Sequence, residues 1–471
     1  MKMLIAGEWI STPETVDVIN PYTGEVIDTT PSATIEDAER AITSAHRHKK
    51  IMAKMPRHLR AGILDKAASI IEDRAEEFAR RIVSETGKTI TEGRRETARC
   101  VNTLHLSASS ARAFHGQAIP FDSMESGVGK VGYYRREPLG VILCITPFND
   151  PLNLVAHKLG PAIASGNTVV LKPSEMAPLS AISLCEVLIE AGLPPLALNV
   201  ITGSGKKLSD PLIKNDVIKM ISLTGGVVAG KNIAAAAGMV RMAFELGGCG
   251  SCIVMDDGDI DKAVKTCVSG AFAAAGENCV SVQRVLVHAS IFDEFEEKFI
   301  TAAKNVSYGD PMREDTEMGT MISAAAATAV QQRVEEAVVE GATVHAGNVR
   351  DGALYAPTVL SGIKRDAWLS TNEIFGPVVA LYPFEDFDDA KEFSNAPGGA
   401  IHMAIFTSNI NHAYEAFGDL EASMVLINES TDFRIDAMPF GGAGSAGLGR
   451  EGVKFSMEEM TEPKAICVSL G

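Results

Sequence analysis

Cysteine is sparse in this chain, 8 in 471 residues, and the eight sit at positions 100, 144, 185, 249, 252, 267, 279 and 467 without paired spacing. That excludes a disulfide-built scaffold and implies reduced thiols, as expected of a cytoplasmic protein. No apolar run reaches the roughly 18 residues of a membrane-spanning helix. The apolar start MKMLIAGEWIST breaks at Gly7-Glu8, too early for a secretory signal, so no membrane partner is expected. Positive charge is also short: 43 Lys and Arg against 60 Asp and Glu leave a formal charge of -17. Such a balance argues against nucleic acid as a partner. The ten histidines show no zinc-ligand spacing, and Cys249-Gly250-Ser251-Cys252 has no second cysteine pair, so no metal is expected.

What is present is ordinary globular material, 46% hydrophobic and 22% charged, long enough for two or three packed domains. Residues 33–100 read as helix, with Thr34 and Asp37 resembling a capped start. From about residue 139 short apolar strands alternate with helices: GVILCITPF, an amphipathic helix through Ala156–Ala164, then the strand Thr168–Leu171. Ala181–Ala191 reads as helix, and Ala197–Ile201, Val217–Leu223 and Val240–Phe244 as strands. After Gly247-Gly248 a second series begins, with strands at Ile253–Met255, Arg284–Val287, Thr343–His345 and Val378–Tyr382. Its helices are expected at Asp259–Ala275, Ile291–Ala303 and Ala324–Glu340. The pattern predicts two successive α/β domains with parallel sheets, crossing over near Glu245–Gly248, and a cleft between them suited to an active site.

Three residues could carry covalent chemistry in such a cleft. Cys279 follows a run of small residues (Ala273–Ala275) that leaves room for a carbonyl, though a buried inert thiol fits the local pattern as well. Glu245 ends a strand above two glycines, where a carboxylate serves as a general base or simply as a solvated charge. Asn149 lies in a loop stiffened by Pro147 and Pro151, as an oxyanion donor or a plain turn residue. Two further segments sit where open sheets bind nucleotides, beyond the carboxyl ends of strands. Leu171-Lys172-Pro173-Ser174-Glu175 offers ribose contacts, and its glutamate favours NAD over NADP by repelling a 2′-phosphate. Thr224-Gly225-Gly226 opens a helix that can face a pyrophosphate, although it does not fit the G-x-G-x-x-G fingerprint.

In this order the segments resemble the aldehyde dehydrogenase family, nearly end to end: VINPYTGEVI, EPLGVILCITPFNDP, SGNTVVLKPSE, MISLTGG, FELGG, GENCVSVQR, NEIFGPVV and MPFGGAGSAGLGREG. The resemblance implies a Rossmann-like cofactor domain (1–116 and 137–246), an α/β catalytic domain (247–440) and a small β oligomerisation element (117–136 and 455–471) that makes dimers or tetramers. It implies Cys279 as nucleophile, Glu245 as the base that activates water, and Asn149 with the Cys279 backbone amide as oxyanion donors. It places cofactor contacts at Thr146, Pro147, Lys172, Ser174, Glu175, Gly205, Gly225, Gly226, Leu246, Glu373 and Phe375. The cofactor is expected to be NAD, with NADP possible. The implied reaction passes through a Cys279 thioester hydrolysed to a carboxylate, and Glu245 favours water over coenzyme A as acceptor. The chain departs from the family pattern at Gly226, where a hydroxyl residue is common, and at Val228, Cys249, Gly444 and Phe148.

His157, eight residues after Asn149, and Arg434, shortly before PFGG, are expected to form a cationic pair on the substrate tunnel, with Asn278 beside the nucleophile. That pair would suit a small anionic aldehyde of the lactaldehyde, phosphonoacetaldehyde or sulfoaldehyde type, with plain packing of His157 and a surface salt bridge of Arg434 as the alternative. Other readings of the whole chain are a coenzyme A-acylating relative and a catalytically silent nucleotide-binding protein on the same fold.

Overall fold

The computed structural model describes residues 1–470. The expected helical region resolves into four helices: α1 (Ile35–Lys54), α2 (Arg57–Asp73), α3 (Ala75–Thr86) and α4 (Ile90–Ala113). They break where the sequence supplies stops, at Met55-Pro56 and at Gly87, which takes φ 77°. Thr34 and Asp37 form a reciprocal capping box at the start of α1, and Thr89 and Glu92 form another on α4.

The first sheet has eight strands. Its five central ones run parallel in the order Leu198–Val200, Thr168–Lys172, Val141–Ile145, Ile218–Thr224, Arg241–Glu245. Met3–Ile5 and Gly447–Leu448 flank them antiparallel. Every residue of the helix α5 (Asn153–Ser165) is buried, because α4 and the helix Val453–Glu459 cover it. The amphipathic face expected of Ala156–Ala164 is therefore absent; covered on more than one side, the helix has no solvent face to mark with polar residues.

The second sheet runs Thr343–Ala346, Thr358–Ser361, Val378–Phe384, Arg284–His288, Ser251–Val254, Ala400–Phe406, Ala422–Ile427. All neighbours but the first pair are parallel. The helix expected over Asp259–Ala275 stops at Phe272, and Ala274, Ala275 and Gly276 turn into the left-handed region at φ 50°, 52° and 69°. Alanine pays roughly 1 kcal/mol for each such residue, and Gly276 must be glycine, since a Cβ there would stand 2.2 Å from the Gly376 carbonyl. A third small sheet joins Lys130–Pro138 to Thr461–Ser469 and Gln117–Ala118. No helix among the described residues is long and apolar enough to cross a membrane.

Candidate active site

Four loops leave the carboxyl ends of the parallel strands of the first sheet side by side. Val141–Ile145 delivers Thr146-Pro147-Phe148-Asn149, Thr168–Lys172 delivers Ser174 and Glu175, Ile218–Thr224 delivers Gly225 and Gly226, and Arg241–Glu245 delivers Glu245 and Leu246. This is where an open α/β sheet receives a ligand. A cavity of about 450 Å³ lies here, walled by Ile145, Leu212, Leu223 and Ile233, with Lys172 and Gly205 on its lining. Glu175 accepts from the Gly205 N–H at 2.6 Å and lies 3.5 Å from the Lys172 ammonium. Ser174 turns its hydroxyl to the Met176 N–H instead. A Cβ on Gly226 would meet nothing within 4 Å, whereas one on Gly230 would strike Leu246. The missing hydroxyl residue at 226 therefore leaves open space rather than relieving a clash.

Toward the second domain, Glu373 lies against Gly247, whose Cβ would overlap its carboxylate. Burial pushes the Glu373 carboxyl up to about 8 against one hydrogen bond from the Gly248 N–H. Its Oε1 has no protein partner, and neither do the buried hydroxyls of Thr146 and Thr224. Buried polar atoms without partners are costly, and a dinucleotide bound beyond the strand ends would supply partners for these three. The donor set fits that group. Phe375, held at φ 48°, packs edge-on against Phe148 with ring centroids 5.9 Å apart, which ties the Asn149 loop to the second domain.

Cys279 is half-buried against Val280, Ile401, Met438, Phe440 and Ala446. Burial and the nearby Glu373 raise its thiol pKa, while the charge of Arg434 works the other way. Asn278 places its side-chain oxygen 3.9 Å from the sulfur. Glu245 is 1% exposed, and neither carboxylate oxygen has a partner. Burial first, and the charge of Glu451 second, push it well above the ordinary carboxylate range. The carboxyl is thus held by no hydrogen bond or salt bridge of the protein.

A second cavity, about 180 Å³, is lined by Asn149, Asn278 and Arg434 together with several charged side chains. No protein group hydrogen-bonds the Asn149 side-chain amide among the described residues. The Arg434 guanidinium stacks 3.6 Å from the Phe440 ring centre. Its side chain is 9% exposed, Nη2 lies 3.8 Å from Glu451, and Nε and Nη2 have no hydrogen-bond partner. His157 does not join it. Fully buried, its Nε2 lies 3.1 Å from Asp436 and 3.4 Å from Thr103. Burial, then the charge of Arg434, lower its pKa. The expected cationic pair is thus replaced by Arg434 alone, and His157 helps hold the loop that carries it.

Several site residues escaped the sequence reading. Asp436 accepts from Arg99 (3.0 Å), Asn102 (3.2 Å), Asn153 (3.3 Å) and His157, clamping the Arg434 loop to α4 and α5. Lys158, also fully buried, bonds Glu451 at 2.6 Å and Ser222 at 3.1 Å. Lys88 bridges Glu96 (2.9 Å) and Asp150, and Glu96 caps α5 through the Leu152 and Asn153 N–H groups. The only sequence signal was a charge in an apolar stretch, as Lys158 is within NLVAHKLGPAIA.

Two α/β domains that bring together a thiol, a buried free carboxyl and an apolar cavity at the strand ends define a two-domain enzyme scaffold. Within that class the chain belongs to the aldehyde dehydrogenase family, whose pattern matches residues 9–466. It is 46% identical over 97% of both chains to aspartate-semialdehyde dehydrogenase 1 of Pseudomonas canavaninivorans. It is 37% identical to 3-sulfolactaldehyde dehydrogenase of Priestia aryabhattai, over 99% of this chain and 98% of the relative. Among solved structures it matches the glyceraldehyde-3-phosphate dehydrogenase GapN of Methanocaldococcus jannaschii complexed with NADP, at 39% identity and TM-score 0.94, covering 97% of this chain and all of that one.

Proposed function

We propose that the protein oxidises a short anionic aldehyde to its carboxylate with NAD(P), through an acyl group held on Cys279 and released to water. The observation that carries the chemistry is Glu245, buried with both carboxylate oxygens free. A group so placed serves as a base for water and has no structural partner to satisfy. The Cys279 sulfur, once deprotonated, adds to the aldehyde carbon. The Asn149 amide and the Cys279 backbone N–H donate to the oxygen that becomes negative. NAD(P), when bound, would supply the hydride acceptor; Lys172, Glu175 and Gly205 would hold its adenosine end, Gly225, Gly226, Thr146, Pro147 and Leu246 its middle, and Glu373 and Phe375 its nicotinamide end. Glu245 then takes a proton from water, whose oxygen attacks the acyl carbon and frees the carboxylate and the Cys279 thiolate.

Arg434 supports the anionic substrate. A buried guanidinium with two free N–H groups is built for an oxyanion, and the named substrates of the three relatives each carry a carboxylate, sulfonate or phosphate. The small third sheet supports a homodimer or homotetramer: Val131 opposite Val468 and Tyr133 opposite Ile466 form an apolar face about half exposed in the single chain. NAD(P) reduction across short aldehydes with and without a terminal anion tests the reading, with carboxylate product expected whether or not coenzyme A is present. Product that requires coenzyme A would overturn the hydrolytic step.

A further inference from the structure

The segments that carry Cys279, Glu245 and Glu373 meet at one uncharged side chain, the amide of Gln283. Resting on Glu373 as a ligand of the nicotinamide end, we propose that Gln283 is a positioning residue for the cofactor. From the segment that carries Cys279 it holds the Glu373 loop where Glu373 can meet that end.

Gln283 follows Cys279 by four residues, immediately before the strand Arg284–His288, and is 7% exposed. Its Oε1 accepts the Ile374 N–H at 3.2 Å, and its Nε2 donates to the Asn372 carbonyl at 3.0 Å. The same Nε2 donates to the sulfur of Cys249, four residues after Glu245. One amide thus grips the backbone on both sides of Glu373 and reaches the Glu245 segment as well. Its partners fix which way it points, since a carbonyl must face its nitrogen and an N–H its oxygen.

Glu373 has little else to hold it. Its carboxyl takes the Gly248 N–H, and its Oε1 has no protein partner. The residues from Asn372 to Phe375 form an irregular loop between the helix Trp368–Thr371 and the strand Val378–Phe384, so their backbone relies on bonds from outside the loop. Gln283, by contrast, is anchored. Its carbonyl accepts the Ala380 N–H at 2.9 Å. Its neighbour Arg284, fully buried, donates to the carbonyls of Cys249 (2.7 Å), Phe393 (3.0 Å), Ser394 (3.0 Å) and Ser370 (3.2 Å). Without the Gln283 amide the buried Ile374 N–H loses its acceptor, and the loop is free to carry Glu373 away from Gly247. A small misplacement of that kind is felt in binding and in the alignment of reacting groups.

NAD⁺ and ADP separate the two ends of the cofactor, because ADP lacks the nicotinamide riboside. By calorimetry, Gln283→Met should weaken NAD⁺ binding about tenfold or more and ADP binding less than about twofold. NADP⁺ and 2′-phospho-ADP take their places if the native protein binds NADP⁺ more tightly. Gln283→Asn, too short to span both backbone groups, should weaken the dinucleotide at least about threefold, and it reports alone if the other variant does not fold. Unchanged dinucleotide affinity in a folded variant, or equal losses for dinucleotide and ADP, overturns the proposal. Glu373→Ala is the reference: if it leaves dinucleotide affinity unchanged, the reading of Glu373 itself falls, and the proposal with it.

Discussion

The two cavities on either side of the Asn149 loop bind by different physics. The larger, about 450 Å³, is walled mostly by aliphatic side chains; shape and area decide what such a cavity holds. The smaller, about 180 Å³, is ringed by ionisable side chains. Among them Lys88, Glu96, Asp150 and Arg99 are paired, so removing one of these charges leaves another uncompensated. Substitution should therefore be tolerated on the first side and costly on the second. Cys279 and Glu245 line neither cavity.

That contrast can be broken at graded points. Replacing Cys279 with alanine should cost at least about 10⁴-fold in kcat with the melting temperature unchanged; comparable turnover in the variant would remove the sulfur from the scheme. Glu245→Gln should lower steady turnover by about 10²- to 10³-fold while preserving a first burst of reduced cofactor in stopped flow. Arg434→Ala should lower kcat/KM about 100-fold for a carboxylate-bearing aldehyde and no more than about threefold for a neutral one of equal length. Equal losses would make Arg434 a structural residue.

Smaller effects test the support of the charged cavity. Asp436→Asn should destabilise the protein by about 1–3 kcal/mol at pH 7, measured by denaturant unfolding. Burial alone would raise the Asp436 pKa, yet the hydrogen bond from His157 and the charge of Arg99 hold it well below the ordinary range. A carboxylate depressed on folding stabilises above its unfolded value of about 3.9 and loses that contribution as pH falls further. The difference between native protein and variant should therefore be constant near neutrality and shrink below about pH 4. The smallest change is expected on the apolar side: Gly226→Ser enters open space and should tighten dinucleotide binding only a few-fold, read by calorimetry.

The same division governs what was legible in the sequence. Strands and capped helices announce themselves through local periodicity, so Thr34–Asp37, Thr168–Lys172 and Arg241–Glu245 stood where the chain puts them. Thr358–Ser361, Ala400–Phe406 and Ala422–Ile427 did not stand out, and they fill the second sheet between and beside strands that did. The ordered motifs pointed to Cys279, Glu245 and Asn149. Pairing across long separations was invisible: His157 reads as a cation until Asp436, 279 residues away, is brought beside it, and Lys158 reads as an anomaly until Glu451 meets it. Burial and partnership decide charge, and neither is written locally.

The central claim is that one sulfur carries the acyl group between oxidation and hydrolysis. Intact-protein and peptide mass spectrometry of Glu245→Gln, mixed with NAD⁺ and a short carboxylate-bearing aldehyde, tests it most directly. The account predicts one acyl mass per chain, located on the peptide that contains Cys279. Reduced cofactor formed with no added mass, or with the mass on another residue, would contradict it.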